Sequence, residues 1–101
     1  MDNDIFKALA DPTRREIIAL IADNTLTINE IAEKFEISRP AVSKHIKILT
    51  DNGLILISQE GRERSCILQV QALKEVADWL RPYQEFWENK LDSLGDFLGK
   101  E

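Results

Sequence analysis

The imidazole of His45 and the thiol of Cys66 each occur once in this chain of 101 residues. A zinc site takes three or four ligands, and a nucleophile needs a neighbouring base that a third group orients. No such set recurs at a recognisable spacing, and there is no glycine-rich loop to cradle a phosphate. An enzyme is therefore not expected, nor a cofactor or a metal site. Cationic contact is the chemistry that residue types and spacing do supply. Residues 38–50 hold Arg39, Lys44 and Lys47 and no Asp or Glu. Arg62 and Arg64 follow shortly after. Cations with a hydroxyl (Ser43) on one helix face have the donors to grip phosphates and read guanine edges in a DNA groove.

The elements that must present these side chains are legible on either side. Thr27 and Glu30 form a capping box, and Ile31, Ala32 and Phe35 continue one apolar face at helical spacing. After Glu36-Ile37 comes Ser38, an N-cap, with Pro40 in the first turn. Val42, Ile46 and Leu49 recur at i, i+4 and i+7 and face inward. The spacing predicts two short helices with a very short break, a helix-turn-helix whose second helix enters a major groove. Gly53 is the expected left-handed residue past that helix. Leu54–Ile57 and Ser65–Gln69 read as strands around a Glu60-Gly61-Arg62 turn, a two-stranded wing with Arg62 and Arg64 at or near its tip.

A short helix is expected over residues 2–9, with Ile5, Phe6 and Leu9 on its apolar side. A second starts at Asp11-Pro12 and buries Ile17, Leu20 and Ile21, with Ile18 beside them. Arg14 lies near the positive end of that helix and is expected to find a carboxylate partner, a phosphate contact being the alternative. From Gln71 to about Leu98 the pattern is helical again. Val76, Leu80, Tyr83, Trp87, Leu91, Leu94 and Leu98 recur every three or four residues, and Trp79, Phe86 and Phe97 widen the stripe. Pro82 should kink or split this helix. Five of the chain's seven aromatic residues lie here. That is more apolar surface than so small a body can cover, and a partner surface is implied.

The net charge of −5 at first argues against a nucleic-acid partner. Its distribution argues otherwise: residues 38–64 carry +2, and the rest of the chain −7. An acidic body with one basic strip fits a local DNA contact with modest non-specific affinity. No apolar run approaches the roughly 20 residues of a membrane span. The acidic N-terminus is no secretory signal, and a single cysteine makes no internal disulfide. One domain over residues 1–101, in the cytoplasm and with no membrane partner, is expected.

In this order, the stretches Phe6-Lys-Ala-Leu-Ala-Asp-Pro-Thr-Arg14, Ile31-Ala-Glu-Lys-Phe35, Ser38-Arg-Pro-Ala-Val-Ser-Lys-His45, Leu49-Thr-Asp-Asn-Gly-Leu54 and Glu60-Gly-Arg62 carry a resemblance. The chain resembles the ArsR-type winged-helix repressors along nearly its whole length. The resemblance implies a homodimer on a pseudo-palindromic double-stranded operator, with terminal helices as the dimer interface and an effector that releases the DNA. The effector is unknown. Metal-sensing members carry a cysteine box where this chain has Leu26-Thr-Ile-Asn-Glu-Ile31. Others bind zinc between C-terminal helices through Asp, His and Glu, where this chain has Glu85, Glu88, Asp92 and Asp96 but no His. The second wing strand often carries Tyr where Cys66 stands. The segment Trp79-Leu-Arg-Pro-Tyr-Gln-Glu-Phe-Trp87 looks like a metal-independent subgroup.

The expected fold is thus mostly α: a winged helix-turn-helix with N- and C-terminal dimerisation helices, residues 71–98 forming the latter. The expected DNA-contacting set is Ser38, Arg39, Pro40, Ser43, Lys44, His45, Lys47, Arg62 and Arg64. His45 meets a phosphate or base edge, or else packs with a hydrogen bond. Cys66 is a small buried hydrophobe or a redox thiol. The expected dimer set is Ile5, Phe6, Leu9, Leu80, Tyr83, Trp87, Leu91 and Leu94. Two other readings stay open: a metal-responsive repressor with an unrecognised site, and a protein-interaction module that no longer binds DNA.

Overall fold

Asp11 starts the longest N-terminal helix as its sequence requires. Its carboxylate accepts from the amides of Thr13 (2.7 Å) and Arg14 (3.2 Å), two donors that a helix start leaves without intrahelical partners. The computed structural model describes residues 4–99; the side chains at positions 93 and 96–99 lie outside the description. Its elements are α1 (Ile5–Ala8), α2 (Pro12–Asp23), β1 (Leu26–Thr27), α3 (Ile28–Ala32), α4 (Arg39–Asp51), β2 (Ile55–Glu60), β3 (Glu63–Leu68), a 3-10 turn (Val70–Leu73) and α5 (Lys74–Gly99).

The expected apolar stripes meet in one core. Ile17 and Ile21 of α2, Ile28 and Ile31 of α3, and Val42, Ile46 and Leu49 of α4 are buried with Ala8, Leu54, Ile55 and Cys66. Leu20 and Ile18 are half-buried at its margin. The capping box of Thr27 and Glu30 is present in both directions, at 3.1 and 2.8 Å. Helix α3 stops at Ala32, short of Phe35, because Lys34 and Phe35 bond three residues back rather than four. Helix α4 ends in a complete Schellman motif. Leu54 N–H reaches the Leu49 carbonyl, Gly53 N–H reaches that of Thr50, and Gly53 sits at φ +75°.

The hairpin is longer than the apolar runs indicate. Glu60 pairs with Glu63, leaving only Gly61-Arg62 as the loop. Gly61 has φ +63° and Arg62 does not enter that region, the pattern of a type II′ turn, whose twist matches the strands. A third strand joins the hairpin: β1 pairs antiparallel with β3, giving the order β1-β3-β2. Two residues of the Leu26–Ile31 segment thereby close the far edge of β3.

Expected residues 2–9 of the first helix lie partly outside the described residues; the helix seen is Ile5–Ala8, capped by Asp4. Helix α5 runs unbroken through Pro82 for 26 residues, about 39 Å at 1.5 Å per residue. Pro82 does not split it. It removes one amide, and the carbonyl four residues back, at Asp78, loses its helical partner. Leu98 and Phe97 of the expected stripe fall among the side chains not described. The radius of gyration is 17.7 Å, against about 13 Å for a compact chain of this length. A projecting α5 accounts for the difference. Trp79, Tyr83, Phe86, Trp87, Leu91 and Leu94 are each more than half exposed along it.

Burial works against the charge of the Asp11 carboxyl, yet its hydrogen bonds from the Arg14 and Thr13 amides and the nearby charge of Arg14 hold it below the usual aspartate range. A pKa lowered on folding stabilises the fold above the unfolded pKa and loses that contribution as pH falls through the folded value. Asp11→Asn keeps the capping oxygen and removes the charge. The wild-type advantage in melting temperature over this variant is expected at neutral pH. It should begin to shrink below about pH 4, near the unfolded aspartate value, and vanish only once pH has fallen through the lower folded value, as thermal melts across pH would show.

Candidate nucleic-acid interface

Helix α4 presents three faces. Val42, Ile46 and Leu49 are buried, while Pro40, Lys44 and Lys47 are exposed on the opposite side. Arg39 and Ser43 lie on the flank toward α3, and His45 on the flank toward α2. Ser38 caps the helix by accepting from the Ala41 amide at 3.2 Å.

The cations differ in how they are held. Lys47 is paired with Asp51 at 3.0 Å, so the acid directly after the acid-free stretch reaches back one turn to it. The pair is exposed, and such pairs contribute little, so an incoming phosphate can displace it. Arg39 donates from Nε to Asn29 Oδ1 at 2.6 Å and from Nη1 to Ser43 Oγ at 3.4 Å. Lys44, Arg62 and Arg64 are exposed. Arg39, Arg62 and Arg64 line one small cleft of about 80 Å³ with Thr27, Ile28, Asn29 and Glu63. A wider groove of about 440 Å³ separates α4 (Ser43, Lys47, Thr50, Asp51) from Ile57 and Arg64 of the wing. Of the expected contacts, Arg39, Ser43, Lys47, Arg62 and Arg64 line these two clefts, which share Ile28 and Arg64; Ser38, Pro40 and Lys44 are exposed on or beside α4 but line neither.

His45 stands apart from these clefts. Its Nδ1 is 3.3 Å from Arg14 Nη1. A guanidinium only donates, so Nδ1 accepts and the ring proton sits on Nε2. Arg14 also donates from Nε to the Ala8 carbonyl (2.6 Å) and from Nη2 to that of Lys7 (3.2 Å). The expected carboxylate partner is not what holds it: its side chain satisfies the C-terminal carbonyls of α1 and ties them to α4. Arg15 does likewise for the Leu9 carbonyl at 2.7 Å.

On the other side of the molecule Phe6 packs edge-on to Trp79 (5.8 Å between centroids), and Trp79 tilts against Tyr83 (5.3 Å). Of the expected dimer set, Ile5 and Leu80 are half-buried, Leu9 packs against the domain's own core, and Tyr83, Trp87, Leu91 and Leu94 are exposed. Cys66 is fully buried in β3. Among the described residues, no three His, Cys, Asp or Glu side chains are placed to hold a metal ion, and no helix is long and apolar enough to cross a membrane. Sequence reasoning missed Asn29 and Asp51, which contact Arg39 and Lys47. Both were visible in principle, Asp51 at i+4 from Lys47 and Asn29 as a short amide on the helix before the turn.

Three core helices with a hairpin directly after the third define a winged helix-turn-helix domain. Residues 11–55 match the family model described as bacterial regulatory protein, arsR family. The transcriptional repressor SdpR of Bacillus subtilis is 34% identical over 89 residues, 88% of this chain and 99% of that protein. The HTH-type transcriptional regulator Rv2034 of Mycobacterium tuberculosis is 32% identical over 96 residues, 95% and 87% of the two chains. A solved structure of an ArsR family transcriptional regulator superposes with a TM-score of 0.74 at 39% identity, over 83% of this chain and 92% of that one. The chain belongs to the ArsR family of bacterial regulatory proteins, which are transcriptional regulators and not enzymes.

Proposed function

We infer that this chain is a homodimeric repressor that binds a pseudo-palindromic operator, and that no metal regulates it. The observation that carries this reading is the cationic surface shared by α4 and the wing on an otherwise acidic chain. Lys44, Lys47 and Arg64 reach phosphates, while Arg39 with Ser43 addresses base edges. Arg62, at the hairpin tip, meets the backbone or the adjacent minor groove. Residues 1–101 act as one domain with residues 71–98 as the dimerisation helix. The exposed stripe of α5 supports this, since its mate supplies the cover that the chain's own body does not. SdpR, which is described as a repressor, spans nearly the same length. His45 serves by packing, through its bond to Arg14.

Gel-shift titration on the chain's own promoter at several salt concentrations tests the reading. Lys44→Ala and Arg64→Ala are each expected to weaken binding. Each should also flatten the slope of log K against log salt, by about 0.9 for every phosphate no longer neutralised. Unchanged affinity and slope in the double variant would remove the assigned surface from the interface.

A further inference from the structure

Arg39 combines two features that its role in folding does not explain. It occupies the first position of α4, where the helix dipole disfavours a cation. Its hydrogen-bond acceptors, Asn29 Oδ1 at 2.6 Å and Ser43 Oγ at 3.4 Å, are both neutral, so its charge is held in place without being cancelled. Lys47, four residues from Asp51, shows the contrast: there a carboxylate takes the charge.

A guanidinium carries five N–H donors in a planar fork. Asn29 uses the Nε hydrogen and Ser43 one on Nη1, which leaves both Nη2 hydrogens and the second on Nη1. The end-on pair of Nη1 and Nη2, the edge that can meet guanine O6 and N7 together, is open to a base because the Ser43 contact, at 3.4 Å, is long enough for guanine to replace it. A side chain gripped at two points has already lost most of its rotamer freedom, so the bidentate contact does not have to freeze it.

We propose that Asn29 is a positioning residue for sequence recognition: from α3 it fixes the Arg39 fork so that its end-on edge selects a guanine in each half-site. Asn29 needs no contact with DNA in this role. The inference rests on the DNA-binding reading above and adds to it the residue that sets one position of specificity.

In vitro selection from a random duplex library, followed by competition binding, tests it with five proteins: the unmodified chain, Asn29→Ala, Asn29→Asp, Arg39→Ala and the Asn29→Ala/Arg39→Ala pair. The unmodified chain should select a site with one symmetric guanine position at which Asn29→Ala loses roughly tenfold in preference. Affinity for unrelated duplex and the melting temperature should stay near the parent's, because Asn29 is exposed. Asn29→Asp keeps an acceptor at the same reach but takes up the charge of Arg39, so it should retain the guanine preference while lowering affinity for every duplex. In the Arg39→Ala background, Asn29→Ala should have no further effect. A chain that selects no sequence overturns the recognition reading and this proposal with it. If the unmodified chain selects a site and Asn29→Ala selects the same bases, only the proposal falls. It falls equally if Asn29→Ala costs as much without Arg39 as with it, or if Asn29→Asp loses the preference to the same degree.

Discussion

Deleting residues 82–101 is expected to leave a monomer, or an aggregating chain, that has lost specific operator binding while its helix-turn-helix is untouched. The truncation removes Tyr83, Phe86, Trp87, Leu91 and Leu94, all more than half exposed. It spares Trp79, which covers Phe6. A standard interface buries about 800 Å² per partner, and two aromatic-rich helices can supply it. One recognition helix reads only a few base pairs; two, spaced by one DNA turn of about 34 Å, read both halves of a palindrome. Trp87→Ala is the milder form of the same experiment. Aromatic anchors dominate interfaces, and its truncation should cost about 2 kcal/mol of association, roughly thirtyfold in dissociation constant. Sedimentation equilibrium of the three chains, read beside operator titration, decides. A full-length monomer at micromolar concentration that still binds its operator tightly would overturn both the interface and the symmetric reading.

Arg14→Ala should be the most damaging single change outside the hydrophobic core. It removes the donors to the Ala8 and Lys7 carbonyls and the contact with His45, at a cost of about 2–3 kcal/mol for charged hydrogen bonds and an orphaned part-buried carbonyl. There is a mechanical side as well. Helix α1 is only four residues long and carries Phe6, which rests on α5. Through Arg14 the same short helix is tied to α4. Freeing it should weaken operator binding as well as lower the melting temperature. Arg14→Lys should rescue little, because one ammonium cannot span three acceptors on two elements. Chemical denaturation and operator titration of both variants check this; a Lys variant as stable as the parent would show that charge alone, without the fork, does the holding.

Arg14 also marks where sequence reasoning stops. Its unfavourable place near a helix N-terminus announces a partner, but backbone carbonyls carry no letter in the sequence, so a carboxylate is the natural expectation. Features set by local chemistry are legible. The capping box at Thr27 and Glu30, the cap at Ser38, the left-handed Gly53 and the stripe Val42, Ile46, Leu49 all depend on neighbours a few residues away. Strand β1 is not legible, since two residues have no periodicity, and only the free edge of β3 makes them a strand. The grip of Asn29 on Arg39 is likewise a tertiary contact, ten residues apart on separate helices. Pro82, read locally, should kink or split α5. One missing amide in 26 residues does not divide a helix whose other bonds persist.

Cys66 sits opposite Leu26 on one side and Ile57 on the other, without exposed surface. Burial pushes its thiol above the usual range, against a smaller pull from Arg64. A thiolate is the reactive form, so neither an alkylating agent nor an oxidant can use this sulfur while the sheet is closed. The only thiol in the chain is thus a clock inside the wing: the rate at which it is consumed counts how often three strands come apart.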